Sequence, residues 1–439
     1  MSNRRNLIIC MIMVCIILIV GAVAYIAGKS QADKNGETAE AAKTEEAAES
    51  ADAAEASKAE ETAEAAETAE AAEAEKKDES AETAEAEESA KADETSETEG
   101  TEEIEPLTEY WTEGSEAAQS LRDFVEKVTN ENDQANFVPV EDRIAVFDMD
   151  GTLTCETYYT YYDTMMFIEY CLKDHPDKVS DELKEVAASI EPGYKADENL
   201  ARNFAKAYAG MTMEEFYDYA VEFGQRETSS FNNMRYIDNA YLPMVELVKY
   251  LYENDFTIYV ISGTERTTTR AIVANTPLKD YVTPNHVIGT DFEVKQKGHE
   301  TEASNMDYKY EDGDELVLTG GFIQKNLNCN KSIYVQREIG QRPILAFGNS
   351  GSDTSMMNYA IDSRNQYPAQ AYMIIADDPF REWGTADWEE KSAEYEEMGY
   401  VPISMRMDFA QIYPEGITKA DEQYNAADWV VEEAEEPAA

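Results

Sequence analysis

The sequence contains few cysteines and very few histidines. Its 439 residues include five cysteines and three histidines, with no CxxC pair. Cys10 and Cys15 fall inside an apolar run near the N-terminus, and Cys155, Cys171 and Cys329 are widely separated. This pattern indicates neither a disulfide framework nor a structural zinc site. Three histidines also leave little room for a histidine-based metal site.

Positive charge is scarce as well. The chain has 36 Lys and Arg against 91 Asp and Glu, for a net charge of −55. The excess is widespread, with −22 over residues 31–105 and about −36 over residues 106–439. A field of this sign repels phosphates, so we expect no nucleic acid partner. Any site for an anionic phosphate ester must therefore concentrate its own positive charge, and nothing in the sequence identifies a protein partner.

One apolar run, residues 7–27, contains 21 residues without a charge. It is long enough for a membrane-spanning helix. Arg4 and Arg5 precede it, so the positive-inside rule places residues 1–6 in the cytoplasm and the remainder outside. We therefore expect a single-pass anchor in the cell membrane. The alternative is a cleaved signal peptide ending near Ala22-Val23-Ala24, in which case the protein would be secreted.

The next segment, residues 28–104, is dominated by Ala, Glu, Thr and Ser in ETAEAAE-like repeats. From residue 31 it has essentially no large apolar side chain before Ile104, so it cannot form a core. We expect a solvated, disordered acidic spacer of low complexity with transient helix.

Four short apolar runs, each followed by polar residues, predict buried parallel strands; they span residues 143–150, 256–263, 343–350 and 370–377. Apolar residues at helical spacing predict helices over Ser115–Val128, Met244–Glu253 and Lys331–Ile339. Strands that alternate with helices are typical of a doubly wound α/β fold. We therefore expect a Rossmann-like parallel sheet from residues 105–154 and 241–430, with its ligand at the carboxyl ends of the strands.

Residues 155–240 do not follow this alternation. They are rich in aromatic residues and helical in pattern, as in YYTYYDTMMFIEYCL (158–172) and MEEFYDYAVEF (213–223). Because this stretch separates the first two predicted strands, we expect a helical insertion that caps the site.

Asp148 and Asp150 stand two residues apart at the end of the first strand, so their side chains can leave on the same face. Neighbouring carboxylates repel each other unless a proton or cation lies between them. A hard divalent ion such as Mg²⁺ suits oxygen ligands, and the two acids can also divide nucleophilic and acid–base roles. Taken alone, the pair is equally compatible with a simple turn or loop cap.

The longer string DMDGTLT (148–154) resembles the first motif of haloacid dehalogenase-type phosphatases, and three further motifs follow in order. They are VISG (260–263), NKSIYVQREIG (330–340) and GNSGSDTSMM (348–357). The resemblance covers roughly residues 140–410. It is nearest to the phosphoserine phosphatase branch, which carries a helical cap at this place, and to exported bacterial members with an FGNS-type fourth motif.

This resemblance implies roles for the motif residues. Asp148 would attack phosphorus to form an aspartyl-phosphate, and Asp150 would protonate the leaving alcohol and then activate water. Ser262 would bind the phosphoryl group, aided by the helix that starts near Thr264. Lys331 would neutralise the developing charge, with Lys325 as the less favoured substitute.

The resemblance also implies a Mg²⁺ cofactor. Its ligands would be Asp148, the main-chain carbonyl of Asp150 and Asn349, with Asp353 bound directly or through water. Asn349 departs from the commoner motif, which has an aspartate there. An amide oxygen brings no charge, so we expect weaker Mg²⁺ affinity and retained activity.

The substrate-binding residues implied by the same comparison are Thr152, Gly263, Glu156 and Arg202. Glu156 matches a cap-side carboxylate that meets a substrate amino group. Arg202 matches an arginine that grips a substrate carboxylate, which a guanidinium binds bidentately. The expected function is therefore a Mg²⁺-dependent phosphomonoesterase for a small metabolite, with phosphoserine as one candidate.

Other functions stay open at this point. The aromatic cluster Tyr158, Tyr159, Tyr161 and Tyr162 could cage a quaternary ammonium group, which favours a phosphocholine-type substrate. An exported location equally favours a broad-specificity acid phosphatase, since serine biosynthesis has no evident place outside the membrane. A phosphotransferase that uses the same intermediate, and a catalytically silent surface binding protein, are the remaining alternatives.

Overall fold

The computed structural model describes residues 106–156, 159–194 and 197–422. The predicted membrane anchor and acidic spacer lie outside these residues. The described part belongs to the unit Thr101–Ala439 of the chain. No helix in it is long and apolar enough to cross a membrane.

A seven-stranded sheet has the order β5-β4-β3-β1-β6-β7-β8. Six of its strands are parallel, and β5 runs antiparallel to β4 at one edge. The sheet strands are β1 Ile144–Phe147, β3 Thr257–Glu265, β4 Val287–Gln296, β5 Leu316–Gln324, β6 Leu345–Gly348, β7 Gln370–Ile375 and β8 Val401–Ser404. A separate antiparallel pair joins β2 (Phe231–Asn232) to β9 (Thr418–Lys419).

Ten helices surround or extend this sheet in the described part: α1 Glu116–Thr129, α2 Tyr162–Glu169, α3 Asp181–Ala188, α4 Glu198–Ala207, α5 Met213–Gly224, α6 Leu242–Glu253, α7 Arg266–Ala274, α8 Cys329–Tyr334, α9 Thr354–Ile361 and α10 Trp388–Glu397. Two of them, α2 and α8, continue into single π-helical turns. Short 3₁₀ turns lie at Val140–Asp142, Pro277–Asp280 and Pro284–His286.

Helices cover both faces of the sheet because alternate residues of a strand point to opposite sides. Ala145 and Phe147 of β1 belong to one apolar cluster with residues of α1 and α6. Ile144 and Val146 belong to a second cluster with residues of α8, α9 and α10. All four β1 side chains are therefore buried, which explains the uninterrupted apolar run in the sequence. The expected α/β architecture is confirmed, with a sheet that is mostly rather than wholly parallel.

Four helices, α2 to α5, occupy the connection between β1 and β3, where the sequence predicts a cap. Polar side chains begin three of them: Ser180, Asp197 and Thr212 each accept a main-chain N–H of the first turn. At α5, the Thr212 N–H donates in turn to the Glu215 carboxylate, which completes a capping box. Helical insertion in this connection is thus observed.

The connection between β4 and β5 forms a second insertion that the sequence did not predict. These two strands pair as a long antiparallel hairpin at the sheet edge. The insertion that carries the cap helices joins this edge through main-chain hydrogen bonds, since Gly210 donates to Leu318 at 2.7 Å and Leu318 donates to Met211 at 2.9 Å. The hairpin therefore holds part of the cap insertion against the sheet edge through main-chain hydrogen bonds.

Candidate active site

The central strand β1 delivers Asp148 and Asp150 to the carboxyl edge of the sheet. The Asp148 N–H donates to the Phe347 carbonyl of β6 at 2.9 Å. The chain then turns at Gly151, whose φ of +81° favours glycine. The two carboxyl side chains are buried, with 6% and 7% of their surfaces exposed. Buried carboxylates in such proximity need a proton or a cation.

Lys331, at the start of α8, supplies a cation. Its side chain is fully buried, and its ammonium forms ion pairs with Asp148 and with Asp353, the latter at 2.6 Å. Burial and the charge of Asp353 raise the pKa of Asp148 to about 7, and the lysine opposes this rise. The ionised state of Asp148 therefore depends on Lys331.

Asp150 has one carboxyl oxygen fixed and the other free. Thr264, at the end of β3, donates to its Oδ2 at 2.7 Å. Its Oδ1 is buried and has no hydrogen-bond partner within the described residues. Burial raises the pKa of Asp150 well above its ordinary value, and the charges of Asp163 and Asp148 add to this effect. The free oxygen can therefore hold a proton for transfer.

The end of β3 carries Ser262 and Gly263. The Ser262 hydroxyl is fully buried and accepts the Thr264 N–H at 3.0 Å, while the Ser262 carbonyl accepts the Asn326 side chain at 3.0 Å. A Cβ on Gly263 would lie 2.7 Å from a terminal methyl of Leu327, so a larger residue here would make the Leu327 side chain shift. The following helix begins at Arg266, two residues later than expected.

The loop after β6 is organised by Asp353. Its Oδ2 accepts the N–H groups of Asn349 and Ser350 at 3.2 and 3.0 Å, and its Oδ1 contacts Lys331. A Cβ on Gly348 would lie 2.5 Å from the Asp353 Cβ, so glycine is needed for this packing as well. Asp353 is thus occupied by protein donors, and direct metal ligation would break some of these bonds.

Residues at the start of the first and fourth motifs lie against each other. The Asn349 side chain packs over Gly151, where an added Cβ would meet its amide nitrogen at 1.9 Å. The described residues contain no group of three or more His, Cys, Asp or Glu side chains arranged for a metal ion. Mg²⁺ commonly takes one or two carboxylates together with substrate phosphate. The Asp148 carboxylate, the Asp150 carbonyl and the Asn349 amide oxygen fit that requirement.

A cavity of about 150 Å³ opens above these residues. Residues from the sheet edge, the first turn and the cap line it: Asp148, Asp150, Glu156, Tyr161, Asp163, Gly263, Thr264, Lys325, Leu327, Asn349, Ser350, Gly351 and Ser352. The cavity is small, which suits a compact ligand.

The predicted substrate-binding residues separate into two groups. Glu156 and Gly263 line the cavity, whereas Thr152 is fully buried with its hydroxyl unpaired inside the described region. Arg202 does not line the cavity. It is about half exposed, pairs with Glu198 at 2.5 Å and lies 4.4 Å from the centre of the Phe322 ring. The resemblance predicted Arg202 as a ligand of a substrate carboxylate, but Arg202 is not among the residues that line the cavity.

Of the four clustered tyrosines that could cage a quaternary ammonium group, the described residues place one at the cavity. Tyr161 lines the cavity, but Tyr159 and Tyr162 are buried in the cap and donate to the carbonyls of Ile190 and Ala220. Tyr158 lies outside the described residues. One aromatic side chain at the cavity gives little support to a quaternary ammonium site.

Two buried charged residues at the cavity were missed as site residues in their own right. Asp163 lies at the start of α2, and Lys325 lies just after β5. Burial raises the pKa of Asp163 and lowers that of Lys325. An acid within the apolar stretch YYDTMMF was a signal for Asp163. The sequence offered Lys325 only as a substitute for Lys331.

Similar solved structures share low sequence identity with this chain. One is a conserved protein of unknown function from Anaerococcus prevotii (14% identity, TM-score 0.42, 72% of this chain and 98% of that chain). Another is a phosphoserine phosphohydrolase-like protein from Francisella tularensis (14%, 0.27, 53% and 88%). A third is a predicted phosphatase from Clostridium acetobutylicum (15%, 0.31, 60% and 94%). No curated protein sequence matches the chain significantly.

The model of the haloacid dehalogenase-like hydrolase family matches residues 145–358. The matched segment runs from β1 into α9 and contains the four sequence motifs that meet at the carboxyl edge of the sheet. Over residues 145–358 the chain is therefore similar to the haloacid dehalogenase-like hydrolases.

Proposed function

We propose that this hydrolase is a phosphomonoesterase that acts on a small phosphorylated metabolite through an aspartyl-phosphate. The observation that carries the proposal is the pairing of Asp148 with the buried ammonium of Lys331, next to an Asp150 with one free, buried oxygen. This arrangement supplies a nucleophile and a proton donor in one enclosed site.

In the first step, an Asp148 oxygen attacks phosphorus and the bond to the leaving alcohol breaks. Asp150 gives its proton to the departing oxygen, which the raised pKa of this carboxyl favours at neutral pH. Lys331 offsets the charge that develops near Asp148. In the second step, Asp150 takes a proton from water as the water oxygen attacks phosphorus; the bond from phosphorus to Asp148 breaks, which frees the Asp148 carboxylate and releases inorganic phosphate.

Phosphoryl binding is assigned to groups around the second motif. The Ser262 hydroxyl, which accepts the Thr264 N–H, keeps its own proton available for donation to a phosphoryl oxygen. Mg²⁺ held by Asp148, the Asp150 carbonyl and Asn349 would supply positive charge for the phosphate oxygens. The small cavity supports a compact leaving group.

The test is hydrolysis by the purified full chain in detergent, with Mg²⁺ and a panel of phosphomonoesters. Asp148→Asn keeps the shape of the side chain and removes the nucleophile, so release of inorganic phosphate should disappear. Phosphate release by this variant at the wild-type rate would overturn the mechanism. A competing alcohol acceptor, with product analysis, separates hydrolysis from phosphotransfer.

We also propose that the hydrolase is anchored in the cell membrane with its site outside the cytoplasm. The support is the uncharged run at residues 7–27 behind Arg4 and Arg5. Protease added to intact cells should remove the hydrolase domain and leave a cytoplasmic marker protein intact. Recovery of the chain in the soluble cytoplasmic fraction would contradict this placement.

A further inference from the structure

Lys325 is a buried residue that lines the cavity, and no ion-pair partner of its ammonium lies among the described residues. Only 6% of its surface is exposed. Across the described residues, no carboxylate oxygen lies within ion-pair distance of its ammonium, whereas buried Lys331 pairs with two carboxylates. A buried charge without a partner is costly for the folded state, so an anion that enters the cavity would gain a strong contact.

The main chain on both sides of Lys325 is fixed. The Asn330 side chain donates to the Lys325 carbonyl at 2.8 Å. The next residue, Asn326, donates its N–H to Thr290 at 3.1 Å and its side-chain amide to the Ser262 carbonyl at 3.0 Å. Lys325 is therefore held against the phosphoryl-binding end of β3, as a specificity residue requires.

Lys325 shares the cavity with two buried acids, Asp150 and Asp163. Burial lowers the pKa of Lys325, and Asp163 and Asp150 are the strongest of the charges that oppose this fall. The charges that most affect the pKa of Asp148 are instead those of Asp353 and Lys331. Since Asp150 is the proposed donor to the leaving alcohol, we place Lys325 beside the leaving group.

We propose that Lys325 binds a carboxylate on the leaving alcohol, so that the enzyme prefers small phosphomonoesters with a second anionic group. This inference rests on the proposed phosphomonoesterase function and deepens it. It transfers to Lys325 the role that the sequence suggested for Arg202, which lies outside the cavity. Nearby Asp163 and Glu156 limit how far the anion can extend, because their carboxylates would repel it.

The experiment compares 2-phosphoglycolate with 2-hydroxyethyl phosphate, two esters of similar size that differ in the carboxylate. The full chain is assayed in detergent as wild type, Lys325→Met and Lys325→Arg. Lys249→Met is the control, because Lys249 is exposed on α6 and pairs only weakly with Glu253, at 3.9 Å. Wild type and the control should favour phosphoglycolate by about 10- to 100-fold in kcat/KM, the usual effect of a charged hydrogen bond.

Lys325→Met should abolish that preference, mainly through KM, with a clearly smaller loss on the neutral ester than on phosphoglycolate. Lys325→Arg should restore part of it. The melting temperature of Lys325→Met should equal or exceed that of wild type, because a buried unpaired cation has been removed. A purely structural role for Lys325 would instead lower the melting temperature and both activities together.

Three results would overturn the inference. One is a wild type without preference for phosphoglycolate. Another is an equal loss on both esters in Lys325→Met, which would assign the lysine to the phosphoryl group. The last is a preference for phosphoethanolamine over both esters that survives in Lys325→Met, which would assign the cavity to a cation.

Calorimetry with Asp148→Asn separates this inference from the proposed function. Phosphoglycolate should bind this inactive chain at least tenfold more tightly than 2-hydroxyethyl phosphate, and adding Lys325→Met should remove the difference. If wild type hydrolyses neither ester but this binding difference is present, the phosphomonoesterase proposal fails and the anion site stands. Equal binding of the two esters defeats the anion site.

Discussion

Replacement of Asp150 by Asn gives the sharpest test of the proton-transfer role. The Asn carbonyl oxygen can still accept the Thr264 hydrogen bond, which now measures 2.7 Å. The amide then occupies the place of the free Oδ1, which is buried and unpaired within the described residues. Shape and packing are kept while the transferable proton is lost.

The size of the effect follows from that geometry. A positioned general acid contributes about 10²- to 10⁴-fold to a rate, or about 3–5 kcal/mol of the barrier. Asp150→Asn should lose this amount with an alkyl phosphate, whose leaving oxygen needs a proton. With p-nitrophenyl phosphate the leaving group departs without protonation, so the first step should be nearly preserved. The second step still lacks its base.

Rapid-mixing kinetics can separate the two steps. Asp150→Asn with p-nitrophenyl phosphate should give a burst of nitrophenol, close to one equivalent per site, followed by slow turnover. Acid quench should trap the phosphorylated chain. Thr264→Val, which leaves the carboxyl in place but removes its hydrogen bond, is the matched control and should show a smaller loss on both esters. A loss of equal size for the alkyl and aryl esters in the first step would refute the assignment of Asp150 as the acid.

Three further predictions test the surroundings of the site. Lys331→Met should abolish turnover and lower the free energy of unfolding by about 3–5 kcal/mol, since it leaves two buried carboxylates without their cation; urea denaturation measures this, and unchanged stability would contradict the buried pairing. Glu265 caps α7, and burial raises the pKa of its carboxyl to about 7. Because this folded-state pKa exceeds the ordinary value, the glutamate favours folding most at low pH and this advantage falls as pH rises through 7. Glu265→Gln should therefore be more stable than wild type at pH 8, by up to about 3 kcal/mol, with the difference shrinking by pH 4; a constant difference across urea titrations would argue against it. Asn349→Asp should lower the Mg²⁺ concentration needed for half-maximal activity, because a carboxylate adds charge to the amide position; EDTA should silence both proteins, and activity after exhaustive chelation would exclude a metal requirement.

Much of the central sheet was predictable because its strands are buried on both faces. The runs at β1, β3, β6 and β7 are uninterrupted and end in polar residues, so length and composition identify them. The strands β4, β5 and β8 were not predicted, because they are less completely buried. β4 and β5 are partly exposed and mix polar residues with apolar ones, and β5 contains Gly320 and Gly321. β8 begins with two partly exposed residues, one of them Pro402, so it lacks a continuous buried apolar run.

The residues of the candidate site were also predictable only in part. Residues that follow a strand end, such as Asp148 and Ser262, were placed by the topology alone because the carboxyl ends of parallel strands meet at one edge. The cap is different, since its helices can present any face to the cavity. Spacing could not decide between Arg202 and the later Lys325, because that choice depends on how α4 and the hairpin pack together.

The hydrogen bonds between the cap insertion and β5 also bear on solubility. An edge strand presents unpaired N–H and C=O groups, to which a second chain can add. Here Gly210 and Met211 occupy part of the β5 edge, and Thr212 forms a bridge with Val317 beside them. At the opposite edge, β8 is short and includes Pro402, which has no N–H to offer. The insertion that encloses the active site therefore also protects the sheet against edge-to-edge aggregation, and mutations that loosen it should promote self-association as well as weaken catalysis.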